Sequence, residues 1–374
     1  MMISISKKKA FNEEYSINHV SSVLDFAKKT NHNINFFKYK FDIKACKTED
    51  LLRVIALDPF SFQNLDDQSS EFLKCYLEIA DFLLYSQTYF DIVKSQYKTK
   101  KRSEYLASLR EERGVVLSKF GSNNIIRMLS LNNSSIINSE VSYNRFYQAV
   151  KDIFNKNNID ISKIFDYDKY LNANQSARSS ILNNINITVC PYCNRQYIDT
   201  YSIEGKIKSI AQIDHFYPKK IFPLYSLSLL NFVPSCSYCN CSIKKDRLFP
   251  WNKIYHDDTV KQKVFSVDFN DFNGIYGDQK SFILVMHVQD EHSKKNSAFF
   301  RHEHIYKNHM IDISELLKKR ILYNNSYKHS LEKCLSEEIK ESDFKKLIFG
   351  VSGLEDDLTS IPLSKLKNDI LDEL

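Results

Sequence analysis

The residues best suited to chemistry in this chain are four cysteines in two pairs, Cys190-Pro191-Tyr192-Cys193 and Cys236-Ser237-Tyr238-Cys239. Each Cys-x-x-Cys knuckle can place two thiolates on one cation, and four sulfurs closing a tetrahedral shell form the common structural zinc site. One such pair arises readily by chance, whereas two that bracket a compact motif seldom do. A redox centre is the weaker reading, because a thioredoxin-like site needs a single pair in a βαβ setting. The gap between the pairs is longer than in a simple zinc ribbon, so something is inserted there. Cys241 is out of register with its knuckle and reads as a spectator. Cys46, Cys75 and Cys334 read as small apolar residues of helical segments.

The insertion carries Ile213-Asp214-His215-Phe216-Tyr217-Pro218-Lys219 and then Asn231-Phe232-Val233-Pro234-Ser235, with Asn240 and Lys244 just past the second knuckle. Asp214, placed at the end of a strand, is a hard oxygen ligand suited to Mg²⁺ or Mn²⁺. His215 follows directly, and an imidazole with a reference pKa of about 6.5 is largely neutral near pH 7 and can take a proton from water. A helix starting near Tyr238 would set Asn240 and Lys244 at i and i+4 on one face. Asn240 could then offer its carbonyl oxygen to the cation opposite Asp214. A protonated lysine is no ligand, so Lys244 is expected to meet phosphate, with Lys245 or Arg247 beside it. Hydrolysis of a phosphodiester is the chemistry that such a set could perform. Taken singly, Asp214, His215 and Asn231 would be ordinary loop polars of a zinc-stabilised binding module, which is the alternative reading.

The order Cys-x-x-Cys, Asp-His, Asn, Cys-x-x-Cys-Asn, Lys resembles the HNH endonuclease family, in an H-N-N variant with Asn240 as the third signature residue. The resemblance implies a ββα-metal core in which His215 is the base, Asn231 holds the loop carrying it, and Asp214 and Asn240 bind a catalytic Mg²⁺ or Mn²⁺. Structural Zn²⁺ on Cys190, Cys193, Cys236 and Cys239 would clamp hairpin to helix. The phrases Cys190-Pro-Tyr-Cys-Asn-Arg, Asp214-His-Phe-Tyr-Pro-Lys and Asn231-Phe-Val-Pro-Ser-Cys are similar to a bacterial subgroup associated with anti-phage defence, such as the Septu-type component. That likeness implies a nucleic-acid substrate, DNA before RNA, and an ATPase partner protein. It is strong over residues 187–252 and faint in the N-terminal part. No P-loop occurs, so any ATP would come with another chain.

The elements that must position these residues follow from pattern and composition. With 374 residues, 43% hydrophobic, and only 7 Gly and 7 Pro, the chain has material for two or three compact regions built from helices and polar turns. The net charge of +6 permits a polyanionic partner without requiring one. No run approaches the roughly 20 uncharged apolar residues of a membrane span, and the start lacks a secretory signal, so no membrane association and a cytoplasmic location are expected. The fold class expected is α+β, with helical N- and C-terminal regions around the zinc-stapled core. The boundaries are 1–186 for a mainly helical region binding a partner or target, 187–255 for the nuclease core, and 256–374 for short strands followed by helices.

Helical periodicity marks Phe72 to Phe90, with Ser69 or Ser70 as cap, and Tyr147 to Phe154. Lys94, Lys98, Lys100, Lys101 and Arg102 read as the solvated end of a helix in preference to a phosphate patch. Strands are predicted over Arg195–Ile203 and Lys206–Ile213, joined by a Glu204-Gly205 turn, and over Phe265–Phe269 and Ser281–Val288. Ser314 is expected to cap a helix running through Leu331, and a last helix over Leu363–Leu374 to follow Pro362. His287, His292, His302, His304 and His309 read as surface or packing residues, and not as a second metal site.

Overall fold

The computed structural model describes residues 3–6, 10–29, 48–58, scattered positions between 73 and 107, and residues 140–203, 206–248, 254–255, 263–288 and 291–373. The architecture is α+β: helices surround three short antiparallel strand pairs. The N-terminal part contains α1 (Glu13–Lys29), α2 (Thr48–Leu57), α3 (Glu140–Ile164), α4 (Tyr167–Ala173) and α5 (Ala177–Ile185). Glu13 and Glu14 in the first turn of α1 and Lys28 and Lys29 in its last complement the helix dipole. The predicted helix around Tyr147–Phe154 is the middle of the much longer α3. Within the predicted Phe72–Phe90 helix, Leu73, Tyr76, Ile79, Phe82 and Leu83 are helical and buried, as the apolar spacing requires. Cys46, Cys75, the Ser69 and Ser70 caps and the basic cluster from Lys94 to Arg102 lie outside the described residues.

Two hairpins stand where the sequence suggested one. β1 (Thr200–Ile203) pairs with β2 (Lys206–Ser209), with Ile203 opposite Lys206 across the Glu204-Gly205 position. The second strand ends at Ser209, because Ile210 and Ala211 carry the chain into a separate strand, β3 (Gln212–His215). Its partner is β4 (Phe232–Ser235), which sets Asp214 opposite Val233 and His215 opposite Phe232. A π-helical turn, Tyr238–Lys244, follows at once. The third hairpin joins β5 (Phe265–Phe269) to β6 (Phe282–Met286), at the predicted positions within two residues. The short α6 (Phe272–Ile275) lies between these two strands.

The C-terminal part holds α7 (Glu291–Phe300), α8 (His302–Tyr306), α9 (Met310–Leu322), α10 (Asn325–Leu335), α11 (Glu341–Phe349), α12 (Asp357–Ser360) and α13 (Ser364–Glu373). The expected helix from Ser314 to Leu331 is instead two helices. Helix α9 begins four residues earlier, at Met310, and a break at Tyr323 and Asn324 precedes α10. Asn324 supplies the cap there, its Oδ1 accepting from the backbone N–H groups of Ser326 (3.0 Å) and Tyr327 (3.2 Å). Ser314 faces inward, where its hydroxyl donates to the Gly277 carbonyl. Gly277 has φ of +79°, and a Cβ there would lie 2.5 Å from the Ser314 carbonyl oxygen, so only glycine permits this approach.

One apolar cluster runs from Ile5 through the central segment to Leu371, so the three regions share a core. The N-terminal helices cover the loop between β3 and β4. The Ser226 hydroxyl donates to the Phe165 carbonyl and the Ser228 hydroxyl to the Ile55 carbonyl. Asn158 of α3 donates to Ile221 O at 2.9 Å, and His19 of α1 lies 2.8 Å from Leu227 O. The C-terminal helices cover the first knuckle from the other side.

Candidate functional site

The four knuckle cysteines form a buried cluster whose Sγ atoms all lie within 4.8 Å of one another. Both knuckles use the same turn: the backbone N–H of Asn194 donates to Cys190 O (2.8 Å), and that of Asn240 donates to Cys236 O (3.0 Å). The Cys239 N–H also points at Cys236 Sγ, at 3.5 Å. Burial pushes the Cys190 thiol up, while hydrogen bonds from neighbouring thiols pull Cys193 and Cys236 down. Such a cluster shares its protons unless a cation replaces them. Zinc–sulfur bonds of about 2.3 Å place tetrahedral sulfurs about 3.8 Å apart, and Cys193 Sγ is 4.0 Å from Cys236 Sγ. The four cysteines can therefore hold a structural metal such as zinc. Cys241 is exposed and stands apart from the cluster, its thiol donating to Gln212 Oε1 at 2.9 Å. Cys334 is also exposed, so it is no part of the apolar packing expected of it.

The first knuckle is gripped from behind by the C-terminal helices. His302 Nε2 donates to Tyr192 O (2.8 Å), Tyr306 OH to Cys193 O (2.7 Å), and the Leu363 N–H to Asn194 O (2.6 Å). Asn194 sits at φ +49°, and its side chain bonds the Lys365 N–H (3.0 Å) and Leu358 O (2.8 Å). These partners are distant in sequence, and no local pattern announces them. His302 is thus a packing histidine, and burial holds it down at a pKa of about 3. His309 bridges Arg195 Nε and Asp312 Oδ2, each at 2.8 Å. Among the described residues the four cysteines form the sole group of His, Cys, Asp or Glu placed to share a metal.

Strand β3, strand β4 and the π-helical turn bring the remaining candidates together. Side chains two apart on a strand share a face, and Gln212 and Asp214 both meet the turn. Asn240 Nδ2 donates to Gln212 Oε1 at 3.1 Å, and Lys244 Nζ donates to Asp214 Oδ1 at 3.0 Å. The helical turn predicted at Tyr238 is present, but it is a π turn closed by the Lys245 N–H on Asn240 O at 2.6 Å. Lys245 ends it at φ +52°.

Lys244 is 0% exposed and Asp214 4%. Its ammonium also donates to His215 O at 2.7 Å, which places it inside, away from the surface position at which it would meet phosphate. Tyr192, from the middle of the first knuckle, donates its hydroxyl to Asp214 Oδ2 at 2.6 Å. Burial raises the Asp214 pKa and the charge of Lys244 opposes that rise; burial in turn lowers Lys244. The Tyr192 phenol is pushed well up by burial and by the Asp214 charge, so it remains a donor.

His215 is buried, its Nε2 3.0 Å from Ser226 O. A carbonyl only accepts, so Nε2 carries the proton and Nδ1 keeps its lone pair. Among the described residues Nδ1 makes no hydrogen bond. Burial, helped by the charges of Lys219 and Lys244 and opposed by the hydrogen bond to Ser226 O, lowers the His215 pKa to about 3. The ring is walled by Tyr167 (4.6 Å, edge-on) and Phe232 (5.4 Å). Asn231 is fully buried and pins the loop: its Oδ1 accepts from the Tyr217 N–H (2.7 Å), while Nδ2 donates to Tyr217 O (3.1 Å) and Tyr225 O (2.8 Å).

Compared with known families, curated proteins and solved structures, the chain matches none.

Proposed function

We propose that this chain is a metal-dependent endonuclease of the HNH type, hydrolysing phosphodiester bonds of nucleic acid, DNA in preference to RNA. The observation that carries the reading is the fixed tautomer of His215. A neutral imidazole at the end of a hairpin strand donates from Nε2 to a backbone carbonyl and keeps the Nδ1 lone pair to accept a proton. The adjacent Asp214, the loop-pinning bonds of Asn231 and the strand–strand–helix order support it.

Asp214 and Asn240 are the residues that would hold a catalytic Mg²⁺ or Mn²⁺. Their oxygens are of the hard type that such ions take, but the Lys244 ammonium already lies on Asp214 Oδ1 and competes for that carboxylate. When bound, the ion would act as a Lewis acid on phosphate. His215 would take the proton of the attacking water at Nδ1, with Ser226 O steadying the charge that develops. Zn²⁺ on Cys190, Cys193, Cys236 and Cys239 would fix the scaffold and take no part in the reaction. The biological setting proposed is anti-phage defence in the cytoplasm, with an ATPase partner.

Supercoiled plasmid incubated with the purified chain should be cut in Mg²⁺ or Mn²⁺ and spared with EDTA. His215→Ala should keep its metal content and fold yet lose cutting at least about a hundredfold. Undiminished cutting by that variant would sink the reading.

The second reading is a non-catalytic zinc-stabilised module that binds nucleic acid or a partner protein. The Lys244–Asp214–Tyr192 cluster favours it, because the carboxylate is satisfied without a divalent ion. Failure of the chain to cut DNA or RNA under every cation, including in the presence of the ATPase partner, would decide for it.

A further inference from the structure

With Lys244 buried on Asp214, the side chain expected to lead the phosphate contact is turned inside; of its two expected neighbours, Arg247 donates to Ile243 O at 2.6 Å and Lys245 is exposed past the end of the π turn. The wall beside His215 supplies a further ammonium. Lys219 Nζ stands 4.6 Å from the centre of the Tyr167 ring, and the centre of that same ring lies 4.6 Å from the centre of the His215 ring, the two planes nearly perpendicular. One aromatic side chain thus contacts both an ammonium and the imidazole. Lys219 is 35% exposed, unlike Lys244. Its present partner is Asp168 in the first turn of α4, with Nζ 2.9 Å from Oδ1 and 2.8 Å from Oδ2, and that carboxylate is 74% exposed. Exposed pairs of this kind hold weakly and exchange partners readily. The Tyr167 ring attracts the Lys219 ammonium whichever anion it meets.

We propose that Lys219, seated on Tyr167, is the residue that binds a backbone phosphate of the nucleic acid beside His215, and that Asp168 holds its place until the phosphate arrives. The inference deepens the nuclease reading and rests on it. Because the Tyr167–Lys219 arrangement depends on α4, it also gives the N-terminal region a part in forming the substrate surface.

Binding, measured without added divalent cations so that nothing is cut, tests it. A short labelled duplex is titrated with the full chain from about 50 to about 200 mM salt. The proteins compared are wild type, Lys219→Gln, Asp168→Asn and Lys307→Gln, the last making the same charge change at another exposed ion pair. Lys219→Gln should weaken binding roughly fivefold and lower the salt slope by about 0.9, the share of one phosphate contact. Asp168→Asn should tighten binding, and Lys307→Gln should leave both quantities unchanged.

The inference is overturned if Lys219→Gln keeps the wild-type slope or if wild type binds no duplex. It is also overturned if Asp168→Asn weakens binding along with Lys219→Gln, as a purely structural pair would. A parallel plasmid-cleavage assay separates the two proposals. Cutting by wild type together with an unchanged Lys219→Gln slope removes this inference alone. A lowered slope with no cutting under any cation removes the nuclease reading and leaves a polyanion-binding site.

Discussion

At the scale of single residues, the decisive feature is where Lys244 puts its charge. A fully buried ammonium is tolerable only with a partner that is equally buried, and Asp214 Oδ1 at 3.0 Å is that partner. Removing one member of such a pair strands the other. Lys244→Met should destabilise the protein by about 3–5 kcal/mol in denaturant unfolding, because Asp214 is then buried without its cation. Adding Asp214→Asn should recover most of the loss, since Asn still accepts from Tyr192 and carries no charge. A double variant as unstable as the single one would show that the pair is not the origin of the effect. Tyr192 belongs at this scale too: it stands between the first two cysteines in sequence, yet its work is to reach Asp214.

At the scale of elements, the chain solves a problem of thin secondary structure. Strands of four residues and a seven-residue π turn bury too little to hold their own geometry. The cysteine cluster links the start of the turn to the first knuckle, and the knuckle is in turn held by Tyr306 and His302. Cys193→Ser should therefore lower the bound metal below one equivalent and reduce the melting temperature by about 10 °C or more. An unaltered melting curve would mean that the helices, not the metal, hold the knuckle. The break between α9 and α10 also belongs here. The apolar pattern runs through it, and what stops the helix is Asn324, whose side chain offers the next helix a better start.

At the scale of the whole molecule, buried histidines tie stability to pH. His19 of α1 contacts Leu227 O at 2.8 Å, and burial lowers its pKa from 6.5 to about 4. The unfolded chain therefore takes up the proton first. The stabilisation is complete above about pH 6.5 and is lost progressively as pH falls towards 4. Between those limits one such histidine contributes a slope of about 1.4 kcal/mol per pH unit. Unfolding free energies measured with excess zinc should fall accordingly, and His19→Gln should flatten the decline. Identical slopes for the two proteins would assign the acid sensitivity to other groups. His215 and His302 are depressed in the same direction by burial.

Sequence alone determined the cysteine quartet, the β1–β2 pairing, the positions of β5 and β6 and the α+β class. It did so because each is written in short-range spacing: two residues between thiols, alternation along a strand, a turn pair between strands. The tertiary structure decided which way the polar side chains face. Lys244 turns inward because a carboxylate and a carbonyl converge on it from β3, and His215 takes one tautomer because Ser226 presents a carbonyl to it. The N-terminal helices hold the loop that carries Ser226, and the C-terminal helices hold the first knuckle. Hydrogen bonds between residues 11 to 113 positions apart leave no period in a sequence, so these assignments wait on the packed chain.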